Sequence, residues 1–261
     1  MPFMTASDGC PIHYRLDGPE DAPVVVLSNS LGANISMWEP QMAALTGHHR
    51  VLRYDNRGHG QSGVPEGPYT LERIARDARE LIGELGLGSV FWCGVSLGGM
   101  VGMWLGANAS YYLKRAVLAN TSPLIGPPDI WNQRIAAIQA DGMGAFAKVG
   151  VTRWLTPGFA AAHPEISDKL AAMIAATPPE GYIATATAIR DMNLLPILGQ
   201  ITIPVLVIAG SADPATPCSM GEQIHSGVAG ARFAILEAAH LSNWEQTEEF
   251  NRLILKFFDA A

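Results

Sequence analysis

The sequence predicts an α/β protein in which a mostly parallel central sheet is flanked by helices and a helical cap is inserted over one end. Short apolar runs with strand character alternate with segments whose apolar residues recur at helical spacing, and this alternation favours a parallel sheet. Between residues 121 and 196 the alternation stops, and helix-like pieces broken by prolines replace it. We therefore expect residues 1–120 and 197–261 to form the α/β core and residues 121–196 to form the cap.

The strands of the core are expected where short apolar runs are bounded by turn residues. These runs lie at 12–16, 24–27, 51–55, 116–119, 205–209 and 231–236, and a further one begins at Val90. Helices are expected near 38–45, over 97–109, and at the C-terminus, where five apolar residues recur at helical spacing: Phe250, Leu253, Ile254, Phe257 and Phe258.

One more helix is expected from Leu71 to about Leu85, with Thr70 as its cap. Its apolar residues recur on one face at helical spacing: Leu71, Ile74, Ala75, Ala78, Leu81, Ile82 and Leu85. Its charged residues are expected to form a solvated face: Glu72, Arg73, Arg76, Asp77 and Glu80.

Composition limits the classes of function. The chain has 261 residues, of which 48% are hydrophobic and 16% charged, enough to bury a large core. Its net charge of −7 argues against a nucleic-acid partner or an anionic membrane surface. Cys10, Cys93 and Cys218 show neither a disulfide framework nor metal-site spacing. With no signal-peptide pattern and no apolar stretch long enough to span a bilayer, the sequence predicts a cytoplasmic protein. The sequence is also compatible with a homo-oligomer.

The most informative stretch is the turn that follows the apolar run at Val90. Residues Gly94 to Gly98 fit the pattern G-x-S-x-G, with Ser96 at its centre, and an apolar segment follows directly. Strand, tight turn and helix are the context of a nucleophile elbow, in which the serine hydroxyl is exposed at the top of the sheet. The glycines are expected because a Cβ at either position would collide with a neighbouring strand or helix. The competing interpretation is an ordinary glycine-rich turn in which the serine caps the helix.

A serine nucleophile needs a base, and the base needs a group that orients it. The acid is expected just past the carboxyl end of a strand, where Asp213 follows the run at 205–209. The other such place is Asn120, which cannot serve as a carboxylate. A turn or helix-capping aspartate is the structural alternative for Asp213.

The base is expected after the last strand. Among seven histidines, only His240 lies at a strand-to-helix switch downstream of Asp213. None of the histidines has metal-site spacing. Hydrolysis by a serine, an acid and a histidine needs neither a metal ion nor an organic cofactor, so none is expected. A purely structural histidine is the alternative.

An oxyanion hole needs two N–H donors. We expect one from Leu97, directly after the serine, and one from Leu31 in the loop after an early strand. A polar turn without a catalytic part is the alternative for the second loop.

With these residues placed, the chain resembles the α/β-hydrolase superfamily and, more narrowly, the 3-oxoadipate enol-lactonases of aromatic catabolism by the β-ketoadipate pathway. The resemblance extends along nearly the whole chain. Its narrower signals are the Asn-Ser-Leu-Gly loop at 29–32, the cap segments at 131–135, 153–157 and 177–182, and the segment at 238–243. One departure is Asn56, where the family has threonine.

The resemblance implies hydrolysis of a small lactone that bears a free carboxylate. Arg134 lies three residues after Trp131, so on a helix both side chains occupy neighbouring surface. An arginine can bind a carboxylate bidentately and an aromatic ring can wall the pocket, so we expect these two residues to bind substrate. A surface ion pair for Arg134 and a core position for Trp131 are the alternative.

Two other functions remain open from the sequence. One is another hydrolase of the same fold, such as a general carboxylesterase or a cofactor-free perhydrolase or haloperoxidase. The other is a non-catalytic member that binds a ligand in its pocket. The intact order of serine, acid and histidine argues against the second.

Overall fold

Eight strands form one central sheet in the computed structural model, which describes residues 2–260 and leaves Met1 and Ala261 outside the described part. The strand order is β1-β2-β4-β3-β5-β6-β7-β8. The strands are β1 Phe3–Thr5, β2 Pro11–Asp17, β3 Val24–Ser28, β4 Arg50–Tyr54, β5 Val90–Val95, β6 Leu113–Ala119, β7 Val205–Gly210 and β8 Arg232–Leu236. The pairs β1–β2 and β2–β4 are antiparallel and the other five are parallel. The predicted mostly parallel sheet is confirmed.

The predicted strands all appear, and β1 is the one that the sequence analysis missed. It has only three residues, too few for an alternating pattern to be recognised.

Ten α-helices accompany the sheet within residues 2–260. They are α1 Glu39–Leu45, α2 Leu71–Glu84, α3 Leu97–Asn108, α4 Pro128–Trp154, α5 Pro157–Ala162, α6 Pro164–Ala175, α7 Pro179–Asp191, α8 Cys218–Gly227, α9 Ser242–Glu245 and α10 Thr247–Phe258. Helix α3 packs against β5 and β6, while α1 packs against β4 and α10. None of these helices is both long and apolar enough to cross a membrane.

The segment between β6 and β7 contains helices α4 to α7, and in the described chain it has no strand. Each of the four helices carries a proline in its first turn, where the missing N–H costs nothing and the fixed φ suits a helix. Four of the prolines that interrupt the sequence pattern therefore start helices. Helix α4 packs against α6 and α7, and Gly142, with φ 74°, kinks it.

Helix α2 differs from its prediction at one residue. Thr70 accepts a hydrogen bond from the Arg73 N–H, as an N-cap should, but Asp77 is buried rather than solvated. Position 77 follows Ile74 by three residues and precedes Leu81 by four, so it belongs to the inward face. Its carboxylate is buried because Arg57 and Arg73 pair with it.

Candidate active site

The carboxyl ends of the parallel strands meet at one edge of the sheet, and the predicted site residues follow them there. Leu31 follows β3, Ser96 follows β5, Asp213 follows β7 and His240 follows β8. The sheet topology thus brings together residues that lie up to 209 positions apart in the sequence.

Ser96 occupies a strained turn between β5 and α3. Its φ of 56° and ψ of −113° lie outside the regions that non-glycine residues usually adopt. A Cβ on Gly94 would lie 2.1 Å from the Gly98 carbonyl, and one on Gly98 would lie 2.1 Å from the Ser28 carbonyl oxygen. The predicted need for both glycines is confirmed. The turn is held because Ser96 N–H donates to the Ala119 carbonyl at 2.9 Å.

Asp213 and His240 are joined by a hydrogen bond. The His240 Nδ1 lies 2.8 Å from Asp213 Oδ2, and Thr216 Oγ1 donates to the same oxygen at 2.7 Å. The other oxygen, Oδ1, accepts from the N–H groups of Ala215 and Thr216 at 2.8 and 3.0 Å. Burial raises the pKa of Asp213, but the nearby His240 and the hydrogen bonds from His240 and Thr216 outweigh it and lower the pKa to about 2. The carboxylate therefore stays ionised beside the imidazole.

Asn120 connects these loops and was recognised in the sequence only as a residue unable to act as the acid. Its Nδ2 donates to Asp213 Oδ2 at 3.1 Å and to the Ala239 carbonyl at 3.0 Å. Its Oδ1 accepts from Ser242 Oγ at 2.6 Å. The end of β6 is thus tied to the loops that carry Asp213 and His240.

Leu97 and Leu31 are the two residues whose N–H groups are predicted to form an oxyanion hole. Leu97 is the first residue of α3, so its N–H has no acceptor within the helix. The loop of Leu31 is fixed through Asn29, which donates to the Tyr54 carbonyl at 2.7 Å and accepts from Trp38 Nε1 at 2.9 Å.

A cavity of about 230 Å³ lies between the sheet edge and the cap. Ser96, His240 and Leu31 line it from the core side, and Trp131 and Arg134 line it from the cap side. Asp213 and Leu97 do not line it. The structure therefore brings five of the seven predicted site residues to one cavity and places Asp213 behind His240.

The cap side of the cavity is aromatic and cationic. The Arg134 guanidinium lies 4.5 Å from the centre of the Trp131 ring and 5.9 Å from that of Phe146. Arg153 also lines the cavity, and no Asp or Glu is among the lining residues. In the sequence Arg153 stands out only as part of a segment typical of the family, because nothing in its local pattern shows where the end of α4 docks.

Comparison with known proteins agrees with this geometry. The family model described as the alpha/beta hydrolase fold matches residues 23–247. The chain is 37% identical to a 3-oxoadipate enol-lactonase of Acinetobacter baylyi over 251 residues, which are 96% of this chain and 94% of the relative.

Solved structures agree as well. The enol-lactonase of Burkholderia xenovorans superimposes with a TM-score of 0.97 at 38% identity, covering 99% of this chain and 100% of the other. A hydrolase of Pseudomonas aeruginosa superimposes with a TM-score of 0.96 at 43% identity, covering 99% of this chain and 98% of the other. The chain belongs to the α/β-hydrolase family and, within it, to the group of the 3-oxoadipate enol-lactonases.

Proposed function

We propose that this protein is a serine hydrolase that opens 3-oxoadipate enol-lactone to 3-oxoadipate, a step of aromatic catabolism by the β-ketoadipate pathway. The observation that carries the proposal is one cavity lined by Ser96, by His240 and by cationic cap residues. The names of the relatives supply the substrate. The cavity is small, as a compact lactone requires.

In the proposed mechanism, His240 removes the proton from Ser96 while Asp213 orients the imidazole and balances its positive charge. The hydrogen bond of 2.8 Å between Asp213 and His240 Nδ1 leaves Nε2 as the basic nitrogen. Ser96 Oγ then attacks the lactone carbonyl carbon. The N–H groups of Leu31 and Leu97 stabilise the oxyanion that forms.

Collapse of the tetrahedral intermediate breaks the ring C–O bond and leaves an acyl group on Ser96. The released enol oxygen takes the proton from His240 and remains tethered to the acyl group, because a lactone's leaving group is part of the same molecule. The enol then converts to the ketone, which makes ring opening hard to reverse. Water, deprotonated by His240, attacks the acyl carbon. The bond between that carbon and Ser96 Oγ then breaks, Ser96 takes the proton back from His240, and the second carboxylate of 3-oxoadipate is freed.

Trp131 and Arg134 are proposed to bind the substrate's own carboxylate. Arg134 stacks on the indole ring and is hydrogen-bonded to Tyr182, so it is held in place while its remaining N–H groups can donate to an anion. The pair lines the cavity opposite the core residues, so a lactone held there presents its ring towards Ser96.

A cytoplasmic location is also proposed. Cys10, Cys93 and Cys218 are free thiols, and free thiols suit a reducing compartment.

The test is ring opening of 3-oxoadipate enol-lactone, followed by ultraviolet absorbance for the wild type, Ser96→Ala and Arg134→Ala. We expect rapid turnover by the wild type and a loss of about 10⁴-fold or more in Ser96→Ala with the fold retained. If the wild type cleaves simple esters faster than the lactone, the proposed substrate is wrong and the protein is a general carboxylesterase. Ligand binding without turnover would favour a receptor role.

A further inference from the structure

The cap places two arginines at the cavity without an acidic neighbour in its lining. Arg134 lies in the first part of α4 and Arg153 near its end, and both line the cavity. Burial lowers the pKa of Arg153 and the positive charge of Arg134 lowers it further, while Asp213 and Tyr182 raise it without reversing the shift. Two like charges at one cavity repel each other, and an anion bound between them relieves this repulsion.

Two buried donors at this cavity have no hydrogen-bond partner in the described part of the chain. They are Nε of Arg153 and Nε1 of Trp131. Buried N–H groups are paired in nearly all native proteins, so each of these needs an acceptor. A carboxylate supplies the acceptor oxygens and the negative charge together.

Arg153 is also fixed with respect to the catalytic loops. Its Nη2 lies 3.4 Å from the carbonyl oxygen of Pro214, the residue after Asp213. Arg134 instead lies over the Trp131 and Phe146 rings and is hydrogen-bonded to Tyr182. Arg153 is therefore held by a loop of the core, whereas Arg134 is held by side chains of the cap.

We propose that Arg153 is a further specificity-determining residue, which binds the substrate's carboxylate together with Arg134 and the indole N–H of Trp131. This inference rests on the proposed function, because it names which cap residue selects the substrate. The selected class is small lactones that carry a free carboxylate. Neutral lactones of the same ring leave the buried donors unpaired and are disfavoured.

The experiment compares two lactones with the same ring, of which only one carries a carboxylate. They are 3-oxoadipate enol-lactone and 5-methyl-2(3H)-furanone, in which a methyl group replaces the carboxymethyl group. The measured quantity is the ratio of their kcat/KM values in the wild type, Arg153→Gln, Arg153→Lys and Arg134→Gln. Arg190→Gln is the matched control, because Arg190 is a cap arginine outside the cavity that pairs with Asp191.

We expect Arg153→Gln to lower this ratio about 10- to 100-fold, mainly through KM for the anionic lactone. Arg153→Lys should show an intermediate loss, because it keeps the charge but not the fork of donors. Arg190→Gln should keep the wild-type ratio. A ratio in Arg153→Gln within twofold of the wild type, or an equal fall for both lactones, overturns the inference.

A binding measurement separates this inference from the proposed function. Calorimetric titration with adipate, a six-carbon dicarboxylate, needs no turnover. We expect the wild type to bind adipate and Arg153→Gln to bind it at least tenfold more weakly, with circular dichroism showing that the variant is folded. Absent or equal binding overturns the role of Arg153, whatever the lactone does. A wild type that binds adipate through Arg153 but leaves the enol-lactone closed overturns the proposed function alone.

Discussion

Asn120 Nδ2 lies 3.1 Å from Asp213 Oδ2, so the residue at the end of β6 holds the carboxylate at the end of β7. Asn120 is fully buried and has a positive φ of 44°, a conformation that asparagine and aspartate tolerate better than most residues. Because it also bonds to Ala239 and Ser242, it fixes the loops of Asp213 and His240 relative to each other.

The variant Asn120→Asp tests this positioning role. It keeps the shape and the tolerated φ, but it places a second carboxylate against Asp213 and removes a donor. Like charges this close raise the pKa of the pair. We expect kcat to fall about 10- to 100-fold at neutral pH and the acid limb of the pH–rate profile to move to higher pH. A profile superimposable on that of the wild type would show that Asn120 does not act through Asp213.

The contrast between Asn120 and Ser96 shows what could be predicted from sequence. Ser96 lies in a local pattern of strand, turn and helix, so a few consecutive residues define it. Asp213 and His240 follow because parallel strands place their carboxyl ends at one edge. The contact between Asn120 and Asp213 joins residues 93 positions apart, and no local pattern shows which polar group will face another across two loops.

The cap and the buried charges were harder to predict for the same reason. Prolines and helical spacing indicated helices between 121 and 196, but the docking of α4 decides that Arg153 reaches the cavity. On α2 the charges looked like a solvated face, while the neighbouring loop supplies Arg57 to pair with Asp77. Such pairs depend on tertiary packing, which hydrophobic periodicity does not describe.

The low pKa of Asp213 predicts a dependence of stability on pH. Its pKa falls from an ordinary 3.8 to about 2 in the folded chain, so the ionised form stabilises the native state. That contribution is complete above about pH 4 and is lost as the pH falls towards 2. We expect the difference in free energy of unfolding between wild type and Asp213→Asn to shrink by about 1 kcal/mol from pH 5 to pH 3. The check is urea unfolding of both proteins at each pH, and a difference that stays constant would contradict the low pKa.

Glu245 joins the cap to the loop that carries His240. Its Oε1 accepts from the Ala239 N–H at 2.7 Å, and its Oε2 accepts from Thr156 Oγ1 at 2.5 Å. Nearby, Leu241 N–H donates to the Trp154 carbonyl at 2.9 Å. The cap is thus anchored beside His240 on both sides.

We expect Glu245→Gln to lower kcat about tenfold, because a neutral amide weakens the charge-assisted hydrogen bonds from the Ala239 N–H, the Thr156 N–H and the Thr156 hydroxyl and so loosens the His240 loop. Stopped-flow measurement of lactone opening should show the loss. Glu249→Gln on α10 is the matched control, since the Glu249 side chain is 43% exposed and bonds only to Arg252 among the described hydrogen bonds. Equal kcat values for the two variants would mean that the anchor has no effect on His240.

The buried pair of Arg57 and Asp77 should contribute far more to stability than an exposed pair on the same helix. Asp77 Oδ2 lies 2.5 Å from Arg57 Nε, and both side chains are almost fully buried. Glu72 and Arg76 also pair on α2, but about half of each side chain is exposed. Removing one partner of a buried pair leaves an uncompensated charge in the interior, whereas water replaces the partner of an exposed one.

We expect Asp77→Asn to lower the free energy of unfolding by about 3 kcal/mol and the melting temperature by about 10 °C. Glu72→Gln should change the free energy of unfolding by less than about 1 kcal/mol. Differential scanning calorimetry of the two variants and the wild type measures both quantities. Arg57 also contacts Asp8 at 2.9 Å. If that more exposed carboxylate fully compensated the charge of Arg57, Asp77→Asn and Glu72→Gln would have the same melting temperature. The burial of Asp77 would then make no difference to stability.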